Sequence, residues 1–144
     1  MFFVGYQTVN RMIALGGSAT STYGSSFFGW SAGNNTGFLY RNSADGGKTF
    51  TGLASVAGLK AFGMIHNTTA NTYTYYDNST TPVSSAYVSG TYQFGKIGNR
   101  DYLNNPNSQA STGFLGDVVV FNRVLTNTEA ATVMTALKAK YNIT

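Results

Sequence analysis

Short apolar or aromatic runs, broken by clusters of Gly, Asn, Ser and Thr, recur along most of this chain. That alternation is how short strands joined by turns are written, because the small polar residues accept the backbone reversals that β-branched and aromatic residues resist. It predicts strands near Phe2–Thr8, Met12–Leu15, Ser26–Ser31, Gly37–Arg41, Lys60–Asn67, Thr72–Asp77, Tyr92–Ile97 and Phe114–Asn122. In a strand successive side chains point to opposite faces, so within Lys60–Asn67 the residues Phe62, Met64 and His66 share one side while Ala61, Gly63 and Ile65 share the other. One bulky and one slender surface is the mark of a strand inside a sheet. Asp117–Asn122 is apolar on nearly both faces and is expected at a sheet centre, covered above and below. The polar stretches Ser31–Thr36 and Asn99–Thr112 read as loops, the second long enough to carry function.

From Thr126 the period changes. Ala130, Val133, Met134, Leu137 and Tyr141 follow the spacing of one helical face. Thr126-Asn-Thr-Glu129 is a capping box, in which the Thr hydroxyl and the Glu carboxylate each take an amide that the first turn leaves unpaired. Lys138 and Lys140 stand where a helix C-terminus favours cations. Asn122-Arg123 leaves the last strand, and Val124 and Leu125 are expected to act as an apolar pin beside the helix start.

Composition narrows the picture. At 144 residues the chain has the size of a single domain, here expected to span 1–144, and its apolar and aromatic content is enough to fill one two-layer core. Charged residues are only 10% of the chain, so its surface must be covered mostly by neutral hydrogen-bonding groups, a composition common on extracellular β-domains and virion proteins. The net charge of +4 comes from nine basic residues scattered from Arg11 to Lys140. With no basic run to neutralise a row of phosphates, nucleic acid is not expected as a partner. The absence of cysteine excludes a disulfide framework and thiolate metal sites. The segment Met1–Gln7 reads as a strand and not as a signal peptide. No segment approaches the roughly 18 apolar residues of a membrane span, so membrane insertion is not expected.

The passage Gly113-Phe-Leu-Gly-Asp-Val-Val-Val-Phe-Asn-Arg-Val-Leu-Thr-Asn-Thr-Glu129, followed by a helix ending Lys-Ala-Lys-Tyr-Asn-Ile-Thr144, resembles the closing signature of concanavalin A-like, laminin-G-like domains. There a final strand leads into Asn-Arg-x-Leu, a Thr or Ser cap, a Glu, and a short helix finishing Lys-Tyr-x-Ile. Leu15-Gly-Gly17, Ala61–Asn67 and Lys96-Ile-Gly98 are similar to earlier stations of the same family. The resemblance implies an all-β fold, an antiparallel two-sheet jelly-roll sandwich with one short C-terminal α-helix. Domains of this family usually begin with further strands before the segment matching Phe2–Thr8. This implies an open edge at that strand, with the remainder supplied by a longer polypeptide or by a neighbouring subunit.

Candidate chemistry is sparse. Jelly-roll glycanases need two carboxylates across the scissile bond, but Glu129 is the only glutamate and belongs to the helix cap, while Asp45, Asp77 and Asp101 lie apart. His66 is the sole histidine. With no Gly-x-Ser-x-Gly beside it, it reads as a core or interface residue and not as the base of a triad. No catalytic residue and no metal site is expected. Calcium is the one cofactor left open, by the oxygen-rich segment Asn99–Asn107. The sequons at Asn34, Asn67, Asn78 and Asn142 are what chance supplies in so Asn-, Ser- and Thr-rich a chain. Glycan binding is the remaining positive expectation, since sugars stack their C–H faces on aromatic rings and bond their hydroxyls to amides and charged groups. Trp30, Tyr40, Tyr75, Tyr76 and Tyr102 offer the rings, and Arg100, Asp101, Asn104 and Asn105 the polar contacts. The function expected is a non-catalytic module of a virion surface or extracellular surface, such as a phage decoration, fibre component or adhesin. Its partners would be other copies, neighbouring virion proteins or surface glycans. The rival expectations are a ligand-free assembly subunit and the accessory carbohydrate-binding domain of a secreted enzyme.

Overall fold

The structure, a computed structural model, describes residues 1–7, 12–16, 27–30, 37–41, 48–51, 58–86, 96–102, 105–110 and 113–144. In chain order these form β1 (Phe2–Gln7), β2 (Met12–Gly16), β3 (Phe27–Trp30), β4 (Gly37–Arg41), β5 (Lys48–Thr51), β6 (Lys60–Asn67), β7 (Thr72–Asp77), β8 (Val83–Ala86), β9 (Lys96–Ile97), β10 (Asn99–Tyr102), β11 (Asn105–Ala110), β12 (Gly113–Val119) and α1 (Asn127–Lys140). The chain is thus mostly β with one C-terminal helix. It gathers into two compact units, one made of Met1–Tyr6, Gly58–Tyr87 and Leu115–Thr144, the other of Gln7–Ala57 and Val88–Phe114.

The first unit is an antiparallel five-stranded sheet in the order β12-β1-β6-β7-β8, with α1 packed on β6. Phe2 pairs with Gly63, Val4 with Ala61, and Gly63 with Tyr76, which carries the slender face of β6 across three strands. That face is where the helix sits. Ala130, Met134 and Leu137 of α1 are buried against Phe2, Val4, Ala61, Ile65 and Tyr76, with Val133 and Tyr141 half-buried around them. Small residues on β6 leave room for large neighbours: the Phe2 ring lies so close over Gly63 that a Cβ there would collide with it. The bulky face is buried too, with Phe3 stacked on Phe62 at 5.0 Å and Met64, Tyr73 and Tyr75 alongside. The helix begins as its pattern predicts. The Thr126 hydroxyl accepts the Glu129 amide at 3.2 Å, and the Glu129 carboxylate accepts the Thr126 amide at 2.8 Å. It ends in a Schellman turn through Asn142, whose φ of 53° is a left-handed value Asn tolerates; the Ile143 amide reaches the Lys138 carbonyl at 2.8 Å.

Three expectations need correction in this unit. The Asp117–Asn122 run is not central among the described strands: β12 is the outermost of them, half-buried from Leu115 to Val119, and Val120 beyond it is 59% exposed. An apolar run reports burial but not what does the burying. Here Val119 and Phe121 pack on the cluster that α1 forms with the sheet, Phe121 meeting Phe2 edge-on at 6.0 Å, so part of the cover comes from the helix side. Nor is β1 an open edge, because it lies between β12 and β6. Of the apolar pin, Leu125 is buried as expected, whereas Val124 is 46% exposed.

In the second unit the described strands pair in the order β5-β4-β3-β2-β9, every pairing antiparallel. The polar stretch expected as a long loop instead contains the antiparallel pair β10 and β11. Backbone ladder bonds need no apolar period, and these six- and four-residue strands carry almost none, which is why their pattern reads as loop. β5 and β8, each with few apolar residues, went unread for the same reason. The expected loop at Ser31–Thr36, Gly17 of the Leu-Gly-Gly turn and the Tyr92 end of the strand before Ile97 lie outside the described residues.

Candidate functional site

The glycan candidates divide between the two units. Trp30 ends β3, with Met12 opposite on β2 and Phe38 opposite on β4. Tyr40 on β4 has Phe28 and Lys48 as its neighbours in register. Arg100, Asp101 and Tyr102 occupy β10 and Asn105 begins β11; Arg100 faces Gln109 and Tyr102 faces Asn105 in register, with an irregularity of the ladder between Arg100 and Tyr102, where Asp101 stands. Asn104 lies outside the described residues. The β10–β11 pair runs beside β2, which itself pairs with the β3 strand of Trp30. Trp30 and the Arg100–Asn105 group, seventy residues apart in sequence, therefore belong to one unit, on elements that each neighbour β2.

Tyr75 and Tyr76 differ. Both lie on β7 in the first unit and both are buried, so neither ring offers a face to a sugar. The Tyr76 hydroxyl donates to the side-chain amide oxygen Oδ1 of Asn127 at 3.2 Å, tying the sheet to the helix start. Burial pushes both phenols up from their ordinary value, with the Asp77 charge adding to the rise at Tyr75. Alternating Thr-Tyr-Thr-Tyr-Tyr was a signal of burial that the count of aromatic residues alone obscured.

The ionisable groups of the first unit are spread along its strands. His66 stacks on Tyr73, its register partner, at 4.8 Å, and burial holds its pKa below the usual 6.5. Asp77 pairs in register with Phe62, and burial raises its pKa, with the Lys60 charge opposing the rise. Its Oδ1 is buried with no hydrogen-bond partner among the described residues. The register sets His66 and Asp77 four residues apart along β6, about 13 Å at the usual strand rise, so they cannot act as a base and its orienting acid. Among the described residues no group of three or more His, Asp or Glu side chains is placed to hold a metal ion. The outer face of α1 with Thr80 frames a shallow groove of Ala and Thr side chains, which brings no ionisable group to any chemistry.

Glu129 and Arg123 pair at the start of the helix. Arg123 grips the Glu129 carboxylate with two nitrogens at 2.8 and 3.0 Å. These bonds, with the Thr126 amide and hydroxyl, hold the Glu129 pKa at about 2. The sequence marked the cap but not the Arg123 pair, which depends on how the chain turns after β12. No helix among the described residues is long and apolar enough to cross a membrane. No protein-family model, no curated protein and no solved structure matches this chain.

Proposed function

We propose that this chain is a non-catalytic, laminin-G-like β-sandwich module, one jelly-roll domain, that binds glycans on a virion or cell surface as a decoration, fibre or adhesin component. The observation that carries the reading is that β3, which ends in Trp30, and the β10–β11 pair, which carries Arg100, Asp101, Tyr102 and Asn105, both lie beside β2 in the second unit. An aromatic platform beside amide and charged groups is what a neutral sugar requires. The closing motif and capped helix favour the same family. The first unit serves as the scaffold, since its Tyr73, Tyr75 and Tyr76 are spent on packing. Its partners are surface glycans and neighbouring proteins of the surface it decorates.

A glycan array with the recombinant chain tests this. Binding that Trp30→Ala and Tyr102→Ala abolish, while Thr135→Ala on the exposed face of α1 leaves it intact, supports the reading. A folded chain that retains no glycan at any density refutes it.

A further inference from the structure

Among the described residues β12 is the outermost strand of its sheet, and such a strand ordinarily shows a row of amides and carbonyls to which another chain can add. Leu115–Phe121 is a segment for which this matters. Leu-Gly-Asp-Val-Val-Val-Phe has three consecutive Val, no Pro and a single charge, and identical copies of such segments pair readily through backbone and side chains alike. The turn that ends α1 is spent on this margin. Tyr141 lies so near Gly116 that a Cβ there would come within 2.7 Å of its hydroxyl. That hydroxyl accepts the Asp117 amide at 2.9 Å. Lys140 reaches the Asp117 carboxylate at 2.6 Å, and its ammonium also lies 5.6 Å from the centre of the Tyr141 ring. Two consecutive residues thus engage both the backbone and the one charge of the segment, and glycine at 116 is what lets the ring come in.

We propose that the Lys140–Tyr141 turn is a guard that keeps the β12 margin from pairing with the same Leu115–Phe121 segment of a second copy of this chain. The guard does not depend on glycan binding and concerns a different unit. Without it the margin gains a free amide and an unmatched apolar run, and strand addition by a second copy becomes the way both are satisfied.

The experiment uses the full chain as wild type, Tyr141→Phe, Lys140→Gln and the double variant, with circular dichroism as the check that each folds. Tyr141→Phe keeps the ring and removes only the hydroxyl; Lys140→Gln keeps the hydroxyl and removes only the ion pair, so each half of the guard is tested apart. Hydrogen exchange at the Asp117 amide is expected to be about tenfold faster in Tyr141→Phe than in wild type. Light scattering is expected to show concentration-dependent association of the double variant, suppressed when Val120→Lys is added beside the strand. An Asp117 amide equally protected with and without the hydroxyl would overturn the proposal. So would a folded double variant that associates no more than wild type, or association that Val120→Lys leaves unchanged.

Discussion

Gly63 shows how much one side chain can decide here. The Phe2 ring occupies the space its Cβ would take, so Gly63→Ala must displace a fully buried aromatic ring in the middle of the sheet. We expect a loss of about 2 kcal/mol in urea unfolding, against no measurable change for Thr69→Ala in the exposed turn between β6 and β7. Two titrating residues give the fold a pH signature. The folded-state pKa of His66 lies below 6.5. Between that lower value and 6.5 the unfolded chain binds a proton that the folded chain refuses, so stability falls as pH drops through this window. His66→Gln should flatten that part of a stability-against-pH curve. Asp77 runs the other way. Its folded-state pKa lies above 3.8, so the folded chain holds its proton more tightly and stability falls as pH rises across the window above 3.8. Asp77→Asn is therefore expected to melt at or above the wild-type temperature at pH 7; a lower melting temperature would mean that the charge is favourable in the fold.

At the scale of elements, α1 is held by its face more than by its end. Met134 is fully buried under the sheet, and truncating such a residue costs about 3 kcal/mol. Removing the Thr126 cap costs about 1 kcal/mol. Chemical denaturation of Met134→Ala and Thr126→Ala should reproduce that order, and a cap loss exceeding the core loss would mean that α1 docks loosely. The cap also has its own acid limb. With the Glu129 pKa held at about 2 against an ordinary 4.5, its contribution is present above 4.5 and is lost as pH falls from there through about 2. Glu129→Gln should remove that limb without touching the one set by His66.

Over the whole molecule, the first unit is assembled from three separated stretches of chain, with the second unit's two segments running between them. A sheet closed by the first and last strands of a chain cannot form until the intervening residues have been brought round, and long loops of this kind slow folding more than they weaken the product. β6 is buried from Ala61 to Ile65 and paired on both sides. Native-state hydrogen exchange is expected to find the slowest amides in β6 and β7 and faster ones in β8, which among the described strands has a neighbour on one side only. Amides in β8 outlasting those of β6 would contradict this ordering of the sheet.

The sequence by itself determined what local physics can settle. The strands Lys60–Asn67, Thr72–Asp77 and Gly37–Arg41 and the helix with its capping box were legible to the residue or nearly so, because side-chain alternation, helical period and end-capping act over a few neighbours. Of the candidate site, Trp30, Tyr40 and the Arg100–Asn105 group were legible as residue types. That Trp30 and Arg100–Asn105 stand on elements that each neighbour β2, and that Tyr75 and Tyr76 are buried, was not. Only the tertiary structure decided that β12 is outermost among the described strands, that β1 is flanked on both sides, that β10 and β11 pair, and that Tyr141 reaches the Asp117 amide. Those outcomes rest on contacts between residues far apart in the chain, and no short-range pattern records which partner a strand or a ring will find.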